Sequence, residues 1–245
     1  MQTHIDINAD VGEGIGNESD LMPLISSCNI ACGGHAGDVE TMKSVSLLAK
    51  KHGVKIGAHP SFPDKENFGR HPMDISSIAL YISIKKQLKD LIHVLDAEHL
   101  HLHHIKPHGA LYNLAAVDEK IASVIIEVLK CLMLRVKLYV PYNSVIAKLA
   151  LEHQIPIIYE AFADRNYNAD LTLVSRTESH AMIHDSNTMF EHVYNMVSNE
   201  NVKTITGELV TIKAETFCIH GDNPEAYLLI SELSNRLASK GIQIR

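Results

Sequence analysis

Apolar and polar residues alternate at the start of the chain, with Ile5 and Ile7 set against Asp6 and Asn8. A period of two marks a strand. It covers residues 4–10 and ends in the polar cluster Asn8-Ala9-Asp10. A second strand over residues 27–32 ends at Gly33-Gly34-His35. Met42, Val45, Leu48 and Ala49 then recur at helical spacing, with Asp38 placed to cap that helix and Gly53 to stop it. Val54, Ile56 and Ala58 form a third strand that closes at His59-Pro60. Asp74 is the expected cap of a long helix whose apolar side is Ile75, Ile78, Ile82, Leu88, Leu91 and Leu95. A fourth strand, 101–106, runs into Lys106-Pro107-His108-Gly109. Strands are expected over 136–140 and 156–160, the latter ending at Glu160, and helices over 118–132, 143–153 and near 187–198. An irregular polar stretch runs from Asp164 to about Ser186. A short hairpin surrounds Thr206-Gly207-Glu208. The last strand ends at His220-Gly221-Asp222, and a final helix carries Ala226, Leu229, Ile230, Leu233 and Leu237.

This succession of about seven β/α units implies parallel strands joined by crossover helices. The pattern alone fits an open sheet or a closed barrel. The chain has 245 residues, close to the size of a (β/α) barrel, and neither a linker nor an internal repeat divides it. The expected architecture is therefore α/β: one barrel domain over residues 1–245, with fewer than eight strands.

Composition narrows the function. The net charge is −7 and no basic stripe appears, which argues against nucleic acid. No apolar run approaches the ~18 residues of a membrane span, and the first residues lack the pattern of a signal peptide. Cys28, Cys32, Cys131 and Cys218 show no framework spacing and are expected as reduced thiols in the cytoplasm. The unusual number is 16 histidines in a chain without tryptophan.

In α/β folds of this kind ligands bind at the C-terminal ends of the strands. Titratable residues gather there: Asn8, Asp10 and Glu13 after the first strand, His35 after the second and His59 at the third. Lys106 and His108 follow the fourth, Glu160 ends the sixth with Asp164 and Arg165 close behind, and the last delivers His220 and Asp222. One cleft lined by carboxylates, imidazoles and an ammonium is expected. Other histidines have plainer readings: His101, His103 and His104 pack in or beside a strand, and those on helices carry no role. His180 and His184 have the HxxxH spacing of two ligands on one helical face, although the surrounding sequence is irregular. There is no GxGxxG, no P-loop and no Gly-x-Ser-x-Gly elbow.

The same strand-end segments carry a resemblance. Asp6-Ile7-Asn8-Ala9-Asp10-Val11-Gly12-Glu13-Gly14, Ser27 to Asp38, Ile56 to Asp64, Phe68-Gly69-Arg70, Ile105 to Asn113, Phe162 to Tyr167 and Ile219 to Pro224 resemble the LamB/YcsF family in order and spacing. Two loops depart from the family pattern: Asn17-Glu18-Ser19-Asp20 is short, and Asn168-Ala169-Asp170-Leu171 lacks an Asp-Gly turn. The resemblance implies a distorted seven-stranded (β/α) barrel similar to the glycoside hydrolase/deacetylase superfamily. It also implies one component of an ATP-dependent 5-oxoprolinase, opening the lactam of 5-oxo-L-proline to L-glutamate with partner subunits B and C. Since the chain lacks a nucleotide motif, ATP is expected as a co-substrate bound with those partners.

On that reading Asp10 or Glu13 is the base for water, its pKa raised by burial. His35, His59 and His220 transfer protons or hold a divalent metal. Lys106, supported by His108, stabilises an oxyanion or phosphate. Arg70 or Arg165 pairs with the substrate carboxylate, with Asn8, Asp164 and Asp222 as further contacts. The competing reading is a stand-alone metal-dependent amide hydrolase or carbohydrate deacetylase with Asp10, His35 and His59 as ligands. A third is a non-catalytic carrier of a small anion.

Overall fold

Each strand of the barrel is short, and each is long enough to pair with the next. The structure, a computed structural model, describes residues 4–221 and 226–245. β1 (His4–Val11) pairs with β2 (Ser27–Ala31), followed in order by β3 (Lys55–His59), β4 (His104–Ile105), β5 (Lys137–Pro141) and β6 (Ile157–Phe162). β7 (Asn201–Lys203) and β8 (Leu209–Thr211) form a separate antiparallel hairpin at the expected place. β9 (Thr216–Cys218) pairs with both β6 and β1 and so closes seven parallel strands into a barrel. β10 (Gln243–Ile244) adds beside the start of β1. Around it lie α1 (Glu18–Leu21), α2 (Val39–His52), α3 (Ser77–Ala97), α4 (Gly109–Ala115), α5 (Glu119–Cys131), α6 (Val145–Glu152), α7 (Ser186–Asn199) and α8 (Ala226–Ser239).

Successive side chains of a strand face opposite ways, and here the two faces differ in chemistry. Ile5, Ile7 and Ala9 join the apolar cluster that packs against the helices. Asp6, Asn8 and Asp10 face the interior, where they meet residues of other strands. Ser27 donates to Asp6, Asn29 donates to both Asn8 and Asp10, and Thr216 donates to Asp6. Contacts between strands that are not neighbours confirm the direction: His104 Nε2 lies 2.7 Å from Asn29 Oδ1, bypassing β3. Gly57 of β3 makes that passage possible, because a β-carbon there would collide with the His104 ring. The ring also stacks on Tyr139 at 3.9 Å. The barrel is therefore filled by a polar column whose members hydrogen-bond one another, as burial requires.

Helix ends follow side-chain capping. Asp38 caps α2, and Gly53 ends it in the left-handed region. For α3 the cap is Ser76 rather than Asp74, since Ser76 Oγ accepts from Ala79 N at 3.2 Å. The face of α3 is also displaced from expectation. Leu88, Leu91 and Leu95 are buried, but their companions are Leu80, Ile84 and Val94, while Ile78 and Ile82 are 74% and 60% exposed. Two residues are about 200° of helix, so Ile78 and Ile82 lie opposite Leu80 and Ile84. β4 is shorter than the expected 101–106; Pro107, which lacks an N–H, follows closely. No helix among the described residues is long and apolar enough to cross a membrane.

Candidate active site

Because the seven strands are parallel, their C-terminal ends share one mouth. Asp10 leaves β1, His59 ends β3, Lys106 and His108 follow β4, and His220 follows β9; all five line one cavity of about 560 Å³. At its floor is Lys106, 2% exposed. Its Nζ lies 2.9 Å from Glu160 Oε1, 3.2 Å from Asp10 Oδ1, 3.2 Å from Asn8 Oδ1 and 2.9 Å from Cys218 Sγ. Three ammonium hydrogens thus serve four acceptors. Burial opposes the charge, but Asp10, Cys218 and Glu160 more than compensate and hold the lysine well above its usual pKa. Lys106 acts at the cavity through its charge, with every proton already engaged.

Asp10 differs from expectation in direction. Burial alone would raise its pKa, but the charges of His59 and Lys106, with the His59 hydrogen bond, hold it well below the carboxylate range. An anion so stabilised is a weak proton acceptor. Glu13 lies behind His59 and His108: its Oε1 is 2.8 Å from His35 Nε2, 3.4 Å from His108 Nδ1 and 3.9 Å from His59 Nε2.

The histidines fix one another's tautomers. His59 Nδ1 donates to the Lys106 carbonyl at 2.8 Å, and His108 Nε2 donates to the Phe68 carbonyl at 2.9 Å. Each neutral ring then presents a lone pair on its other nitrogen. Those two nitrogens, His59 Nε2 and His108 Nδ1, are 2.9 Å apart. One shared proton or one cation must reconcile them. His35 stacks on His108 at 3.7 Å. Burial lowers the pKa of His35 and, joined by the charges of His59 and His35, drives that of His108 well down.

Glu13, His35, His59 and His108 offer ligand atoms within 4.8 Å of one another, a set that contains His35 and His59 of the expected three but not Asp10. A second set at the same spacing, Asp10, Cys218 and His220, contains a buried thiol next to the Lys106 ammonium, which repels a cation. His180 and His184 are exposed in the irregular stretch after Ser175, with no helix to align them.

Across the cavity, His220 Nδ1 donates to Asp164 at 3.0 Å and its backbone N–H donates to the same carboxylate at 2.9 Å. His220 stacks on Phe162, leaving Nε2 as its reactive nitrogen. Arg70, Arg165 and Arg176 also line the cavity. Arg165 is 5% exposed and donates to the Val174 carbonyl, while its Nε has no hydrogen-bond partner among the described residues. Burial and then the Arg176 charge lower it to about 10. Converging guanidinium groups favour an anionic ligand. Asn8 is fully buried beneath the cavity, its amide spent on Glu160 and Thr216, so it supports Lys106 and Glu160 from below. Asp222 lies outside the described residues. Sequence reasoning assigns no role to Glu160, Cys218, Tyr112 or Arg176; only Glu160 carried a signal, as a strand end. Cys28 and Cys32 are buried thiols pushed up to about 12 by burial, in keeping with a structural role. Leu171, at the turn without glycine, has φ of 67°, in the left-handed region.

The Asp164–His220 pair has a pH consequence. Burial raises the Asp164 pKa, but His220 outweighs it and the folded value falls below the ordinary 3.8. Such a group contributes stability above its unfolded pKa and loses it as pH falls through the folded one. Asp164→Asn should therefore lower Tm at pH 7 relative to the parent, and the gap should narrow below about pH 4. A gap that widens in acid would refute the pairing.

Fold and site together define a seven-stranded (β/α)-barrel protein with a cleft lined by titratable side chains at its strand ends. The sequence matches the model of the LamB/YcsF family over residues 5–245, and the chain belongs to that family. It is 42% identical over 240 residues to the A subunit of 5-oxoprolinase from Haemophilus influenzae (strain PittEE), covering 98% of each chain. It is 40% identical to the corresponding 5-oxoprolinase component of Histophilus somni (strain 129Pt), covering 98% of this chain and 97% of that one. Among solved structures, a lactam utilization protein from Thermus thermophilus superposes with a TM-score of 0.89 at 35% identity, covering 100% of this chain and 99% of that one. A GH18 chitinase from Pseudoalteromonas aurantia shares the fold alone, at a TM-score of 0.51 and 10% identity over 93% of this chain and 99% of that one.

Proposed function

We propose that this chain is the component of an ATP-dependent 5-oxoprolinase that opens the lactam of 5-oxo-L-proline to L-glutamate, acting in the cytoplasm as one barrel domain with partner subunits B and C. The observation that carries this reading is the Lys106 ammonium held between Asp10 and Glu160 beneath a cavity with three arginines. That arrangement suits a small anion with a polar reacting centre. The names of the 42% and 40% identical relatives point the same way.

A lactam nitrogen is a poor leaving group, so the reaction needs an activated carbonyl, an activated water and a proton for nitrogen. ATP supplies the first by phosphorylating the carbonyl oxygen with ADP leaving; after ring opening the phosphoryl group sits on the new carboxyl, and a second water releases it as inorganic phosphate. The chain has no P-loop, so the partner subunits bring the nucleotide. His59 Nε2 takes the proton from water as the proton it shares with His108 moves to His108 Nδ1, with the ionised Asp10 beside it at 3.3 Å to stabilise the imidazolium. His220, oriented by Asp164, returns a proton to the ring nitrogen. Lys106 stabilises the negative charge that develops. Arg165 and Arg176, with Arg70, take the substrate carboxylate. The test is reconstitution with subunits B and C, ATP and 5-oxoproline. Glutamate should form only with every component present, and its appearance without this chain would refute the reading.

The facing lone pairs of His59 and His108 favour a second reading, a metal-dependent amide hydrolase or carbohydrate deacetylase acting alone. Glu13, His35, His59 and His108 would hold a divalent cation, with two of the rings oriented for it by their hydrogen bonds to backbone carbonyls. Such a cation would supply a Lewis acid. On this reading, chelator-treated protein should take up one equivalent of zinc and gain about 2.7 kcal/mol of stability at a hundredfold excess over Kd. Full ATP-coupled activity in metal-free protein would instead leave the two rings sharing a proton.

A further inference from the structure

Among the described residues, Tyr112 Oη and Glu160 Oε2 are buried beside the cavity and make no well-formed hydrogen bond. Glu160 Oε1 is already engaged by Asn8 and Lys106, so the free oxygen is the one turned away from the polar column. The two residues are 5% and 2% exposed. They are neighbours: burial first, and then the charge of the Glu160 carboxylate and a loose hydrogen bond to it, hold the Tyr112 phenol well above its ordinary pKa. A second cavity of about 490 Å³ opens at this point and is lined by both. It shares Tyr112, Asn113, Phe162 and Leu173 with the first cavity, so Tyr112 stands at their junction with Glu160 beside it in the second.

A phenol O–H donates and a carboxylate oxygen accepts. Set side by side, they complement a ligand edge that presents one acceptor and one donor in the same direction. An open-chain secondary amide is trans, and its C=O and N–H point opposite ways. A five-membered lactam is locked cis by its ring, and both groups point the same way. We propose that Tyr112 and Glu160 form a clamp for the cis-amide edge of the lactam: Tyr112 Oη donates to the ring carbonyl and Glu160 Oε2 accepts the ring N–H. This rests on the lactam reading above and deepens it, because it supplies the discrimination between cyclic and open-chain amides. In the net opening, the water oxygen bonds to the carbonyl carbon and the C–N bond breaks. Both water protons finish on nitrogen, giving a carboxylate and an ammonium. The new ammonium remains paired with Glu160.

The test uses the reconstituted complex, following glutamate formation from 5-oxoproline with two inhibitors. The corresponding γ-lactone keeps the carbonyl but has a ring oxygen in place of N–H. Proline keeps the ring nitrogen but lacks the carbonyl. In the parent complex the lactone Ki should exceed the lactam KM by at least about tenfold, since Glu160 Oε2 would face an oxygen. Glu160→Gln, whose amide can donate to that oxygen, should collapse this ratio about tenfold. Tyr112→Phe should raise the lactam KM about tenfold and leave the proline Ki unchanged. Ratios that stay at their parent values in both variants overturn the clamp. Should Glu160→Gln fail to fold, the Tyr112→Phe comparison decides alone. A parent complex that makes no glutamate refutes the lactam reading and the clamp with it, whereas an active parent with unmoved ratios refutes the clamp only.

Discussion

Replacing Lys106 by methionine is expected to destabilise the barrel by about 3–5 kcal/mol and to abolish glutamate formation. The volume is nearly kept, so cavity formation contributes little. The cost comes from what stays behind. Asp10 and Glu160 both contact the ammonium, and both are buried. Without Lys106 two carboxylates face each other in a medium that cannot solvate them. For a chain of this length the loss corresponds to a Tm lower by about 6–20 °C. Neutralising the two acids should undo it: Lys106→Met with Asp10→Asn and Glu160→Gln should recover most of the lost Tm while remaining inactive. This triple variant separates charge burial from a general packing defect, since a packing defect would persist. A single variant as stable as the parent would show that the ammonium is not the counter-charge of the column.

The parts of this arrangement that follow from chain order are legible in the sequence. Alternation at Ile5-Asp6-Ile7-Asn8 marks β1 and its two faces, and parallel topology then brings His59, Lys106, His108 and His220 to one mouth. What local pattern cannot carry is the interaction between strands far apart in the chain. Burial predicts a raised Asp10, yet His59 and Lys106, from the ends of two later strands, reverse the sign. His104 reads as ordinary packing until Gly57 is seen to clear a path for its ring toward Asn29. Tyr112 sits in α4, which follows its strand too closely to show a period of its own. Its relation to Glu160 arises only when β4, β5 and β6 pair side by side. On α3 the apolar residues are too many to define one stripe, and the pattern selects Ile78 and Ile82 where the barrel selects Leu80 and Ile84.

His59→Gln is expected to lower kcat by about a thousandfold with little change in KM. Three observations favour His59 as the proposed proton acceptor over either carboxylate expected from sequence. Asp10 lines the cavity but is held ionised by its neighbours. Glu13 lies behind the imidazoles, outside the cavity lining. His59 lines the cavity and donates its Nδ1 hydrogen to the Lys106 carbonyl, which leaves Nε2, the atom facing His108 Nδ1, as the nitrogen that exchanges a proton. Glutamine is close in size and keeps a donor for that carbonyl, but it cannot take a proton. Binding contacts from the arginines are untouched, so the loss should fall on kcat. Asp10→Asn should cost less, because it removes a stabilising charge while leaving the acceptor in place. Metal content measured on the same His59→Gln protein divides the two readings of the histidine group. A thousandfold loss with unchanged metal content assigns His59 to proton transfer, whereas loss of activity together with a bound equivalent of metal assigns it to a cation site. Full activity in His59→Gln would remove His59 from the chemistry on either reading.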